Sequence, residues 1–258
     1  MASSSQCRLQ LTFRGWLPEL LREDHLDGRV SHLIHRRASI KDVVESLGIP
    51  HTEVGEVHRH ERAVDFSCRV ADGDIFVVSP LRPPVDVTLP TLLRPRPLPA
   101  ARFVVDVNVG RLAGLLRLAG LDTAYENTGD DPLLAAIACR EQRILLTRDR
   151  RLLHRRIVEH GHYVREKVPE LQLAEVVGFY GLAGKLRPFS RCLRCNGVLE
   201  PVAKEEIIHR LLPLTRRYYH VFRRCPGCGR IYWPGSHHAR MAGLLASLGK
   251  DRVREPAG

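Results

Sequence analysis

At 258 residues the chain exceeds the usual size of one domain, and 40 basic against 29 acidic residues leave a net charge of +11. A hydrophobic share of 44% excludes wholesale disorder, and no apolar run approaches the roughly 18 residues of a membrane span. The positive excess favours a polyanionic partner over an acidic metabolite.

Met1 to Phe13 lacks an apolar h-region, which argues against export and for a cytoplasmic chain. Arg8 to Phe13 alternates polar with apolar residues and predicts a half-buried strand. Ser39 caps a helix stopped by Gly48, with Ile40, Val43, Val44 and Leu47 on one face. Asp72-Gly73-Asp74 predicts a tight turn into the strand Ile75 to Val78. These elements make residues 1–81 a first domain. Residues 82–101 follow as a linker, because Pro80, Pro83, Pro84, Pro90, Pro95, Pro97 and Pro99 rule out a regular helix or central strand.

Residues 102–184 alternate strand and helix patterns, which implies an α/β domain on a mainly parallel sheet. The expected strands are Phe103 to Val105, Asp122 to Tyr125, Ile144 to Thr147 and His162 to Val164. The expected helices are Gly110 to Gly120, one opening at Asp130-Asp131-Pro132, one over 150–160, and one opening at Pro169. Asp106, Asp130, Asp131 and Asp149 all follow strand ends, and in an open α/β sheet those ends share the edge where sites form. Carboxylates gathered there need a divalent cation, and hard oxygen ligands select Mg²⁺ or Mn²⁺. Such ions activate water and stabilise charge on a phosphodiester. Each acid also has a structural reading: Asp131 before Pro132 and Asp149 as helix caps, Asp106 as a turn residue.

Residues 185–258 hold 15 basic and 5 acidic residues, a net +10, so nearly all the excess lies there. Cys192-x-x-Cys195 is separated by 29 residues from Cys225-x-x-Cys228, the spacing of a closed, structural zinc ribbon. Arg191, Arg194, Arg216, Arg217, Arg223 and Arg224, interleaved with Tyr218, Tyr219, Phe222, Tyr232 and Trp233, suit phosphate pairing and base stacking. Cys7, Cys68 and Cys139 stand apart, and Cys139 falls within an apolar helical pattern that places it in the core.

Two resemblances add to this reading. The stretch Ser39 to Gly55, with the order of elements around it, resembles the ubiquitin-like β-grasp domain found in front of Mut-seven C-terminal RNase domains. Arg102 to Ala113, Leu115 to Thr123, and Thr147-Arg148-Asp149-Arg150-Arg151-Leu152-Leu153 resemble the RNase domain of that family, and Tyr232 to His237 resembles its end motif. The resemblance implies a PIN-like fold and a divalent-metal-dependent ribonuclease. It makes Asp106, Asp131 and Asp149 the Mg²⁺ or Mn²⁺ ligands, with Asp130 an alternate, lets Asn108 and Thr147 shape the site, and places Arg148 on phosphate. It gives His237 either an RNA-binding or a structural role. Arg151 stands where many PIN nucleases carry another acid, which leaves open one metal or two. The alternative reading is a non-catalytic RNA- or ribosome-binding adaptor on a degenerate nuclease fold. A third is a scaffold that docks a protein partner through the β-grasp domain. Nothing in the sequence separates RNA from DNA as the partner.

Overall fold

The computed structural model describes residues 6–21, 27–127, 129–235 and 238–248. Strand β1 (Cys7–Phe13) buries Leu9, Leu11 and Phe13 and exposes Arg8 and Gln10, the predicted alternation. It pairs antiparallel with β2 (Arg29–Ile34). Helix α1 (Ile40–Ser46) begins where the Ser39 hydroxyl accepts the Asp42 amide at 3.2 Å and the Asp42 carboxylate accepts the Ser39 amide at 2.9 Å. Strands β3 (Val54–Arg59), β4 (Arg62–Ala63) and β5 (Ile75–Pro80) complete a sheet of order β2-β1-β5-β3-β4, with β1 parallel to β5. The N-terminal unit is ubiquitin-like, as its helix signature implied.

Residues 81–102 contain no helix or strand, in keeping with their prolines, yet they form a packed strap rather than a loose tether. Val87 and Leu98 are buried beneath the central sheet, and Leu93 enters the N-terminal core. Arg94 donates from Nη1 and Nη2 to the carbonyls of Val54, His51 and Thr52 at 2.9–3.0 Å. Its burial pulls the guanidinium pKa down to about 10.

The central unit runs β6 (Phe103–Val105), α2 (Gly110–Leu118), β7 (Thr123–Tyr125), α3 (Asp131–Arg140), β8 (Ile144–Thr147), α4 (Arg150–Leu153), β9 (Gly161–Tyr163) and α5 (Pro169–Phe179). Its four strands are parallel, in the order β7-β6-β8-β9. Phe103, Val105, Ile144 and Leu146 pack with Leu112 and Leu116 of α2 and Leu173 and Val176 of α5. Val104 and Leu145 pack on the other face against α3 and α4, through Leu134 and Leu152. Successive residues of each strand thus serve opposite cores, which is why these strands read as unbroken apolar runs. Helix α4 ends at Leu153 rather than near residue 160. Cys139 is exposed on the last turn of α3, so its expected place in the core is corrected.

Gly120 closes α2 with φ of +87°, and a Cβ there would stand 2.2 Å from the Arg187 carbonyl oxygen. Gly120→Ala is therefore expected to cost at least about 1–3 kcal/mol in chemical denaturation. A variant as stable as the parent would show that this chain crossing does not form.

Strand β10 (Glu200–Val202), helices α6 (Lys204–Ile207) and α7 (Pro213–Tyr218), and strands β11 (Phe222–Arg224) and β12 (Ile231–Tyr232) form the C-terminal module around the antiparallel sheet β10-β11-β12. Helix α8 (His238–Leu248) returns to the central unit and buries Leu245 and Leu248 beneath its sheet. Ser236 and His237 of the end motif lie outside the described residues.

Candidate functional site

From β6 the chain crosses to β7 on one side, then returns through α3 to β8 on the other side of β6. The crevice beyond the carboxyl ends of β6 and β8 is therefore the topological switch point of the sheet. Asp106 lies there, 4% exposed. Its Oδ2 accepts from Asn108 Nδ2 and from Thr147 Oγ1, each at 2.6 Å. Thr147 Oγ1 in turn accepts the Asp149 amide at 2.8 Å, and Asn108 Oδ1 accepts the Arg148 amide at 3.1 Å. Two neighbouring strand ends are thus tied into one polar network centred on a buried carboxylate.

The other predicted residues divide. Asp149 caps α4, its Oδ1 accepting the Arg151 amide at 2.8 Å. Asp130, and not Asp131, caps α3, accepting the Leu133 amide at 2.9 Å. Asp131 begins the helix and lies 4.0 Å from Arg155 Nη2. Arg148, expected on phosphate, turns Nη1 to the carbonyls of Val164, Arg165 and Glu166 at 2.6–2.9 Å, where it pins the chain after β9. The aspartates share an edge but do not close into a three-ligand cage. Among the described residues, the one group of three or more His, Cys, Asp or Glu side chains with ligand atoms within 4.8 Å of one another is Cys192, Cys195, Cys225 and Cys228.

The four sulfurs come from the two knuckles, with Cys192 to Cys228 at 3.5 Å and Cys195 to Cys225 at 3.3 Å. A tetrahedron with Zn–S bonds of about 2.3 Å has edges near ~3.8 Å, so the set could hold a structural zinc ion. Burial disfavours the Cys192 thiolate, but the Tyr232 hydroxyl and the amides of Cys195 and Arg194 outweigh it and bring its pKa to about 6. The Gly197 amide favours the Cys195 thiolate, yet the neighbouring thiols, Cys225 first among them, push its pKa up to about 12. Thiols this crowded ionise together only around a cation.

The Mut7-C RNase domain model matches residues 101–245, more than half of the chain, and the Mut7-C ubiquitin model matches residues 7–86. The chain belongs to the Mut7-C RNase domain family. Searches of the curated proteins and of the solved structures found no significant match.

In this Mut7-C RNase domain the cysteine module is welded to the sheet. Arg117, on the core-facing side of α2, is 5% exposed and donates from Nη1 to the carbonyls of Leu193 and Arg194 at 2.9 and 3.0 Å. Asn196 accepts the Thr123 amide at 3.0 Å and donates to Asp122 at 2.9 Å. Arg191, expected on RNA, is half-buried and donates to the carbonyls of Gly120 and Asn196 at 3.2 and 2.9 Å, so it is chiefly a docking residue. Arg194, Arg216, Arg217, Arg223 and Arg224 are exposed, as phosphate contact requires. Sequence reasoning missed Arg117; its one signal was a guanidinium inside Leu115-Leu116-Arg117-Leu118-Ala119. Among the described residues no helix is long and apolar enough to cross a membrane.

Proposed function

We propose that the chain is a divalent-metal-dependent ribonuclease whose acidic edge cuts RNA held by the basic, zinc-stapled module. The observation that carries this reading is the Asp106–Thr147–Asn108–Asp149 network at the switch point of an RNase-family domain. Oxygen donors of this type fit Mg²⁺ or Mn²⁺, which commonly keep several waters and take only one or two carboxylates. Asp106, with Asp149 or Asp131, would hold that ion, which when bound supplies Lewis acidity toward a phosphodiester. Thr147 and Asn108 fix one oxygen of Asp106 and leave the other without a donor among the described residues. They set the orientation of the carboxylate. The two C-x-x-C pairs, read as metal ligands rather than disulfides, accord with a cytoplasmic protein.

Incubation of the purified chain with single-stranded and structured RNA in Mg²⁺ or Mn²⁺ tests the proposal. Asp106→Asn combined with Asp149→Asn is expected to lower the cleavage rate about a hundredfold or more, and Thr147→Val about 10–100-fold through lost orientation. Cleavage that survives the double substitution would remove the assignment. A second reading, an RNA-binding adaptor without catalysis, is favoured by Arg151 at the fourth acidic position and by the open spacing of the aspartates. Salt-sensitive RNA binding without metal-dependent cleavage would select it.

A further inference from the structure

A groove of about 830 Å³ separates α2 from the cysteine module and α8. One wall is the α2 face of Arg111, Gly114, Leu115 and Leu118, at the three- and four-residue spacing of one helix side. The other wall carries Tyr219, Tyr232 and Trp233. Trp233 is 40% exposed, and its ring lies 6.4 Å from that of Tyr219. At the α8 end the rings of Phe189 and His238 are stacked 4.0 Å apart. Gly114 keeps the floor open, for a Cβ added there would meet no atom within 4 Å.

The charge on this groove is one-sided. Arg111, Arg191 and Arg223 line it, and no Asp or Glu does among the described residues. Arg111 and Arg223 are exposed and available to an anion. The exposed Trp233 and the half-buried Tyr219 and Tyr232 under an arginine rim match unpaired nucleobases on a phosphate backbone, since a duplex hides its base faces. An apolar peptide would need neither the arginines nor the absence of acids. Position strengthens the match. Helix α2 begins at Gly110, directly after the turn that carries Asp106 and Asn108, so the Arg111 end of the groove lies one helical turn from the acidic edge.

We propose that this groove binds single-stranded RNA, with bases stacked on Trp233 and Tyr219 and phosphates paired with Arg111 and Arg223, and that it delivers the strand to the Asp106 edge. The proposal rests on the RNase reading for its substrate but not for its chemistry, so binding tests it separately from cleavage. Gly114→Phe fills the groove from a helical position whose backbone gains rather than loses by the change. Gly178→Phe places the same side chain on α5, away from the groove and equally clear of neighbours. Anisotropy of a short fluorescein-labelled oligouridine, without Mg²⁺ or Mn²⁺, is expected to report binding about tenfold or more weaker for Gly114→Phe and Trp233→Ala, and unchanged for Gly178→Phe. A labelled RNA duplex is expected to bind the parent and Gly114→Phe alike. Oligouridine affinity undisturbed by Gly114→Phe would overturn the proposal. So would a dimer of the chain that Gly114→Phe dissolves while RNA binding persists, because the occupant would then be a second copy. If Asp106→Asn binds oligouridine normally and still cuts it, the acidic-edge reading fails while the groove stands.

Discussion

Cys225→Ser is expected to release the metal and unfold the C-terminal module. The module has little other core: Cys192, Leu199 and Cys225 are its buried cluster, with Cys228 and Tyr232 packed against them, and Ile207 and Phe222 add two further buried side chains. So small an apolar store does not offset the chain entropy of ordering it, and small modules of this kind depend on their metal. Structural zinc supplies an apparent ~10–16 kcal/mol in comparable sites. Losing it should also disturb the central unit. Arg117 would lose the carbonyls of Leu193 and Arg194 and remain a buried guanidinium, and burial already lowers its pKa. Hydrogen exchange should show protection lost in β10 to β12 and weakened in α8, with β1 to β5 unaffected. Elemental analysis should find zinc in the parent and almost none in the variant. Retained metal with full protection would mean that the four sulfurs are not the ligand set.

What the sequence made legible follows from how local each signal is. The strands Phe103 to Val105 and Ile144 to Thr147 stood out because both their faces are covered, so every residue is buried and all but Thr147 are apolar. The C-x-x-C pairs carry their geometry in their spacing, and the capping box at Ser39 lies within four residues. Features set by distant partners were hidden. The helix expected over 150–160 stops early, and the Val158 carbonyl accepts from His51 Nε2 at 2.7 Å, a partner 107 positions away. The inward turn of Arg117 depends on two knuckle carbonyls supplied some 76 residues later. The acidic edge was half legible. Strand ends predicted where Asp106 and Asp149 fall and the family resemblance brought in Thr147, but neither showed that Arg148 would be taken by carbonyls.

The least legible element carries the second large expectation. Glu53, of the N-terminal unit, is fully buried against the central sheet. Its Oε1 accepts the Tyr163 amide at 2.8 Å and lies 3.4 Å from His162 Nδ1, while its Oε2 accepts from Arg165 Nη2 at 2.6 Å. His162 Nε2 lies 2.9 Å from Glu175 Oε1, so the imidazole sits between two carboxylates. Burial alone would raise the Glu53 pKa, but His162, Arg165 and the Tyr163 amide overcome it and hold the carboxyl at about 2. Burial likewise opposes protonated His162, and the two carboxylates outweigh it, raising that pKa above 6.5. Glu53→Ala leaves His162 and Arg165 facing a void and is expected to cost about 3–5 kcal/mol, the usual penalty for breaking a buried ion pair from one side.

The pH dependence is separable from the packing loss. The contribution of Glu53 is complete above its unfolded pKa near 4.5 and is lost as pH falls toward 2. That of His162 is complete below 6.5 and is lost as pH rises through its higher folded value. The stability difference between the parent and Glu53→Gln, a substitution that keeps the shape and removes the charge, should therefore be greatest between pH 4.5 and 6.5 and shrink on both sides. Thermal melts extending below pH 4.5 and above pH 6.5 measure it. A difference that stays constant over that wider range would mean that ionisation of Glu53 and His162 does not contribute to the cluster. Those two titrating charges would then have no part in joining the N-terminal unit to the sheet.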